Sequence, residues 1–343
     1  MKDVPSLDRH LEPELKARID RKAKPLGSLG RVEELAVQLS LITQSLNPAF
    51  AKAAVVIFAG DHGIVEEGVA AYPPEVSAAI AQMVLDDVAG ANIAARAVNA
   101  DVFLVDAGLK TRLAPHPRLF DRAIGEGTRN FVREPAMTSA QVTEALEAGA
   151  EIAAELSDRG YRILALGEIG IGNSSSAALV AHAVSGLPLD SLVGQGAGAP
   201  AGGMSHKLRV LQAAYERAAP FDGGAGILAE FGGFELAMLA GAMIGAANSR
   251  LITIVDGFIA TAAACAAISL QPNLRHYLIF AHLSPESGHG YILEWLRGKP
   301  LLDLGMRLGE GTGAALAIPA VRMAGSLLRD MADLPGAHPE KDG

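Results

Sequence analysis

Short apolar runs that each end in a small or ionisable residue set the terms on which this chain can fold. They are Ala54 to Asp61, Val102 to Asp106, Ile163 to Glu168, Leu251 to Asp256 and Tyr277 to His282. The runs are apolar throughout rather than alternating, the pattern of strands covered on both faces. Between them lie stretches of helical character at 75–98, 139–158, 174–184, 234–248 and 259–269. Strand and helix in alternation argue for a parallel sheet between two helical layers. The expected fold is therefore α/β, doubly wound and Rossmann-like, with a mostly parallel sheet. Charges and leucines at three- and four-residue spacing predict two further helices at 11–22 and 31–46, separated by the turn Lys24 to Gly30, and a last helix at 313–329. We expect residues 1–50 and 313–343 to build a small helical domain on an α/β body of residues 51–312, with 334–343 frayed.

In such sheets ligands bind beyond the carboxyl ends of the strands. Asp61 with His62, Asp106, Glu168, Asp256, and His282 with Ser284 all fall there. Any one of them also reads as the cap of a following helix, but together they define a polar crevice. The charge balance narrows the partners. Lys plus Arg total 29 against 38 Asp plus Glu, a net charge of −9, the wrong sign for neutralising nucleic-acid phosphates. The longest apolar reaches, 236–247 and 251–270, are respectively short of the roughly 20 residues of a membrane span and interrupted by Asp256 and Gly257. Residues 1–10 alternate in charge and carry no apolar stretch, so no targeting segment is expected. Cys265, the lone cysteine, sits among alanines as a small core residue, in keeping with a reducing cytoplasm.

The loop Leu166 to Ser176 leaves a strand and enters an alanine-rich helix. Its Gly170, Gly172, Asn173, Ser174 and Ser175 suit a phosphate: glycines let backbone amides approach, hydroxyls add donors, and the helix start carries partial positive charge. The same loop also reads as a serine-capped turn, or as a degraded dinucleotide fingerprint with Asp190 downstream. Lys207 is either a phosphate partner or an exposed helix lysine. Arg18, Arg21, Lys22, Lys24 and Arg31 read as a solvated face. His62, His282 and His289 lack the close spacing of a metal site, and Ser174 to Ser176 lack a nucleophile elbow. Glu310, between glycines and amid apolar neighbours, has the surroundings that raise a carboxyl's pKa and suit it to general-base work; it also reads as a helix-start acid.

Several segments together resemble one family, the nicotinate-nucleotide:dimethylbenzimidazole phosphoribosyltransferases of cobalamin lower-ligand synthesis. They are Lys24 to Ala36, Phe58 to Ile64, Gly167 to Ser175, Gly232 to Glu235, Val255 to Ala262 and Pro300 to Ala315. The resemblance implies transfer of phosphoribose from nicotinate mononucleotide to dimethylbenzimidazole, with inversion at the anomeric carbon, no cofactor and no metal. It implies that Glu310 is the general base, that Glu168 and the glycine-serine loop bind the ribose phosphate with Lys207, and that the protein is a homodimer. The region from Tyr72 to Met83 and Met306 to Leu308 would hold the flat acceptor, with Gln82 at its edge and Leu308 against it. The apolar helix at 234–247 offers a face for the dimer.

Two segments depart from the family pattern: Gly194 to Gly198 has Gln195 and Ala197 where an arginine and a threonine are usual, and Asp86 to Asn92 replaces an Asn-Phe-like pair and a Gly-Gly-Ala-Ala stretch. A nicotinamide-dinucleotide oxidoreductase and a non-catalytic nucleotide sensor are the competing readings. The fold alone decides between none of them.

Overall fold

The computed structural model describes residues 2–194, 203–218 and 220–335. In chain order the elements are α1 (Glu12–Arg21), α2 (Arg31–Thr43), β1 (Ala53–Gly60), α3 (Glu75–Leu85), α4 (Gly90–Ala97), β2 (Asp101–Gly108), β3 (Leu119–Asp121), α5 (Ser139–Asp158), β4 (Ile163–Ile169) and α6 (Asn173–Ser185). They continue with α7 (Leu189–Leu192), α8 (Gly203–Ala218), α9 (Gly223–Phe231), α10 (Phe234–Asn248), β5 (Ile252–Val255), α11 (Phe258–Leu270), β6 (Leu278–Phe280), α12 (His289–Leu296) and α13 (Thr312–Asp330). The six strands lie in the order β3-β2-β1-β4-β5-β6 and every neighbouring pair is parallel. This is the doubly wound α/β fold, and its winding reverses between β1 and β4, where such sheets open a crevice.

The five apolar runs are strands. The sixth, β3, has only three residues and only Phe120 buried, too short to stand out as an apolar run. The stretch 75–98 is two helices rather than one, because Asp87 adopts a left-handed backbone (φ 66°) that ends α3 and redirects the chain into α4.

Helices α10 and α11 cover one face of the sheet, with α5 packed on α10, and α3, α4 and α13 lie against the other. α10 is apolar on all sides because it is buried on all sides, packed against α5, α11 and four strands. That corrects the expectation that it offers a dimer face: its apolar surface is spent inside the chain. Glycines decide how close it comes. A β-carbon at Gly241 would coincide with the Leu146 carbonyl of α5, and one at Gly149 with the Met238 carbonyl of α10. Gly241→Val should therefore destabilise by about 3 kcal/mol or more, the upper range of overpacking. A circular-dichroism melt checks this, and an unchanged midpoint would refute the contact.

α13 packs on α2, α4 and the sheet. The basic cluster of the first helices is less solvated than its composition suggests. Lys22 is buried, its Nζ donating to the Met331 carbonyl at 2.7 Å and lying 3.0 Å from Asp333, while the buried Lys24 Nζ lies 2.9 Å from Glu33. These lysines tie chain segments together; Arg18, by contrast, reaches Asn47 near the surface. Cys265 is buried in α11, and burial pushes its thiol up to about 12. Among the described residues no helix is long and apolar enough to cross a membrane.

Candidate functional site

The crevice forms beyond the ends of β4, β5 and β6, closed from above by residues 307–310. Of the residues singled out in the sequence, Glu168, Gly170, Asn173, Ser174, Asp256, His282, Ser284, Leu308 and Glu310 line it together. Glu168 is the penultimate residue of β4, and its carboxyl accepts a hydrogen bond from Asn173 Nδ2 on the first turn of α6. Gly172 enters that helix with φ 96°, where its own Cβ would press on Val65, so only glycine fits the turn. No side chain caps α6. Ser174 lines the crevice, the amides of Asn173 and Ser175 being taken by the Gly170 and Gly172 carbonyls, and the buried Lys207 Nζ donates to Ser174 Oγ at 2.9 Å and to the Gly194 carbonyl at 3.1 Å. Burial draws the Lys207 ammonium down to about 8, against a smaller upward pull from Glu286. A helix start, a hydroxyl and a cation together are the groups that can hold an anion. Ser175 is fully buried, with no partner for Oγ.

Glu310 reaches the crevice from the loop that precedes α13. Gly309, Glu310 and Gly311 have φ of 81°, 60° and 75°, three left-handed residues in succession. The arrangement lets the loop touch β4 backbone to backbone, for a Cβ on Gly167 would overlap Gly311, and the Glu310 amide donates to the Glu168 carbonyl at 3.2 Å. Asp256 Oδ1 accepts from the Ala314 amide at 2.8 Å and so anchors the start of α13 just beyond. Two carboxyls, Glu168 and Glu310, are thus held beside each other with Asp256 nearby.

Their electrostatics differ from those of surface acids. Burial, then the charges of Asp256 and Glu235, pushes Glu168 up to about 8, against a smaller downward pull from Asn173. Burial raises Glu310 too, partly offset by the Ala91 amide. Burial also raises Asp256, opposed by His282, whose Nε2 lies 3.7 Å away. An acidic crevice with protons still on some of its carboxyls is suited to a ligand that carries or develops positive charge.

The remaining sequence candidates fall elsewhere. Asp61 accepts the Lys110 amide at 2.9 Å, and Asp106 accepts the amides of Gly108 and Leu109 at 3.0 and 2.9 Å, so both brace turns at the ends of β1 and β2. His62 is fully buried, 2.6 Å from Glu235. Gln82 is exposed on α3 and bonded to Asp86 rather than at the crevice. Asp190 is exposed on α7 and ends no strand, which removes the ribose contact that a dinucleotide fingerprint needs. Gln195 and Ala197 lie outside the described residues. His289 Nδ1 accepts the Ser284 amide at 2.9 Å, so its proton sits on Nε2 toward Thr261. Among the described residues no three His, Cys, Asp or Glu side chains are grouped to hold a metal.

Ile80 lines the crevice from the 72–83 stretch expected to hold the acceptor, whereas sequence reasoning missed Ile171, Phe258, Ile259, Glu286 and Arg307. Phe258 and Ile259 follow directly on Asp256 and Gly257, so strand-end logic extended by two residues would have found them.

An α/β sheet that gathers several carboxyls and a lysine-bonded serine at one crevice suits a transferase for a phosphorylated sugar, and the chain belongs to the phosphoribosyltransferase family, which matches residues 4–338. More particularly, it is 44% identical over 335 residues to the nicotinate-nucleotide–dimethylbenzimidazole phosphoribosyltransferase of Cupriavidus taiwanensis, covering 98% of this chain and 97% of that one. It is 45% identical to the enzyme of the same name from Ralstonia nicotianae, covering 98% and 95%. The crystal structure of CobT from Thermus thermophilus superposes with a TM-score of 0.91 at 39% identity, covering 94% of this chain and 96% of that one. These relatives lend the oxidoreductase reading no support.

Proposed function

We propose that this protein transfers the phosphoribosyl group of nicotinate mononucleotide to a ring nitrogen of dimethylbenzimidazole, releasing nicotinate and forming α-ribazole phosphate. The observation that carries the reading is the placing of Glu168 and Glu310 beside each other in one crevice that Ser174, bonded to Lys207, also lines. The phosphate binds at the start of α6 against Lys207, with Gly170, Gly172, Asn173 and Ser174 shaping the approach. Glu168 lies beside the ribose.

Nicotinate departs from a pyridinium, so its nitrogen keeps the bonding pair and needs no proton. The anomeric carbon becomes cation-like as that bond breaks, and the Glu168 carboxyl stabilises it once ionised. The acceptor nitrogen forms the new bond from the opposite face, while the other ring nitrogen gives its proton to Glu310. Ile80, Ile171, Phe258, Ile259 and Leu308 supply flat apolar walls for the acceptor, the role the sequence had assigned to Leu308 together with Gln82.

Incubation with nicotinate mononucleotide and dimethylbenzimidazole should yield nicotinate and α-ribazole phosphate on chromatography. A folded protein that binds the mononucleotide but forms no product with this or related bases would sink the reaction and leave the sensor.

The domain division at 50 and 313 draws support from the packing of α13 on α2 and the Lys22–Asp333 tie. A homodimer draws support from Met83, Val88 and Ile93, exposed apolar side chains on and beside α3 and α4. A cytoplasmic location accords with the unpaired, buried Cys265.

A further inference from the structure

The turn between α3 and α4, where the sequence departs from its family, abuts the Glu310 loop. A Cβ on Gly90, the first residue of α4, would lie 2.7 Å from Leu308 Cδ2, 3.7 Å from Glu310 Oε2 and 4.0 Å from Thr312 Oγ1. Glu310 Oε2 is itself buried with no hydrogen-bond donor. That oxygen is packed toward the start of α4 rather than held by a donor. What holds the carboxyl in place is therefore the wall it rests on, the start of α4.

That wall is stitched from behind. The fully buried Asn92 accepts the Ala89 amide through Oδ1 at 3.1 Å, and its Nδ2 donates to the Val84 carbonyl at 3.0 Å and to Asp87 Oδ1 at 2.9 Å. One carboxamide thus joins the end of α3, the turn and the beginning of α4. Asp87 adds Arg118 at 3.1 Å and Arg96 at 2.8 Å, and Arg118 also donates to the Leu85 carbonyl at 2.5 Å. These neighbours hold the left-handed backbone at Asp87 and keep it from relaxing.

We propose that Asn92 and Asp87 are positioning residues for the transfer reaction: the turn they hold seats Gly90 and Ala91 against the Glu310 carboxyl and fixes how that carboxyl is presented to the acceptor. The inference rests on the reading of Glu310 as the base. The other titratable and charged groups that line the crevice with Glu310 are Glu168 from β4, Asp256 from the end of β5, His282 and Glu286 beyond β6 and Arg307 from its own loop. None of them belongs to the turn, so loosening it changes the setting of Glu310 and leaves theirs in place.

Steady-state kinetics on Asn92→Ala and Asp87→Gly test this, the glycine keeping the left-handed backbone available. Misplacing the base should lower kcat by about ten- to a hundredfold, with KM for nicotinate mononucleotide within about twofold, since Ser174 and Lys207 are untouched. Withdrawing the Ala91 amide removes a group that favours the ionised carboxyl, so the acid limb of the kcat profile should move to higher pH. Asp87→Asn, which keeps an acceptor for Asn92 and Arg118, should restore most of the rate. Folded variants with wild-type kcat overturn the proposal, and so does a fall in kcat with an unmoved acid limb, which would mark the turn as merely structural. Glu310→Ala measured alongside separates the two claims: if it keeps full activity, the base assignment fails, whereas an inactive Glu310→Ala beside fully active turn variants refutes the positioning alone.

Discussion

Glu310→Ala is expected to lower kcat by about 10²- to 10⁴-fold, the range of a lost general base, and to leave KM for nicotinate mononucleotide nearly unchanged. The two effects separate because, on the proposed reading, Glu310 serves the acceptor whereas the phosphate rests on Ser174 and its partner Lys207. Its carboxyl must be ionised to take the acceptor proton. Burial raises its pKa above the ordinary carboxylate range, so the rate should fall as pH drops through that raised value. The same shift makes the ionised carboxyl a stronger base than a surface glutamate and brings it closer to the basicity of the ring nitrogen that it deprotonates. Turnover measured across pH for wild type and variant checks both points. A variant with the wild-type rate would remove Glu310 from the chemistry.

Glu168→Gln should slow turnover by about 10²- to 10³-fold, as expected when a group facing developing charge is neutralised, and yet stabilise the fold in a pH-dependent way. The Glu168 carboxyl is pushed up to about 8 from an ordinary 4.5. Between those values the folded chain holds a proton that the unfolded chain has released, so the wild type loses stability as pH rises across that window and no further above it. Glutamine carries no such proton. The variant's advantage should be near zero at pH 4 and reach on the order of a few kcal/mol by pH 8, visible as a thermal midpoint that diverges from wild type with increasing pH. A constant difference between the two midpoints would mean that Glu168 titrates normally. The wild-type carboxyl is thus a stability cost retained at a site where its charge is needed, since a cationic substrate brings the partner that makes ionisation favourable.

How much of this was readable in advance can be judged residue by residue. Glu168, Asp256 and His282 were found because strand ends in a parallel sheet point toward one crevice, and each follows an unmistakable apolar run. Glu310 was found from its glycine neighbours, which signal an unusual backbone. Asp61 and Asp106 satisfied the same strand-end rule, yet their carboxyls turn to nearby amides and brace turns. Sequence shows that an acid stands at a strand end but not which donor it will meet. Gln82 was assigned from resemblance and lies on an exposed surface of α3. Arg307 and Glu286 were missed because they sit on irregular segments with no periodicity to read.

The order of apolar runs and helical stretches by itself determined that the chain would form a doubly wound α/β fold, because burial on both faces leaves a parallel sheet few alternatives. The glycine-serine loop and the glycines around Glu310 likewise marked where a phosphate and a base could stand. Only the tertiary structure decided that β4 and the loop after residue 308 meet backbone to backbone, that a turn more than 200 residues away forms the wall behind Glu310, and that α10 is a buried pillar rather than an exposed face. These are contacts between segments distant in the chain, set by close packing at the scale of single atoms. A local pattern of polar and apolar residues does not encode them.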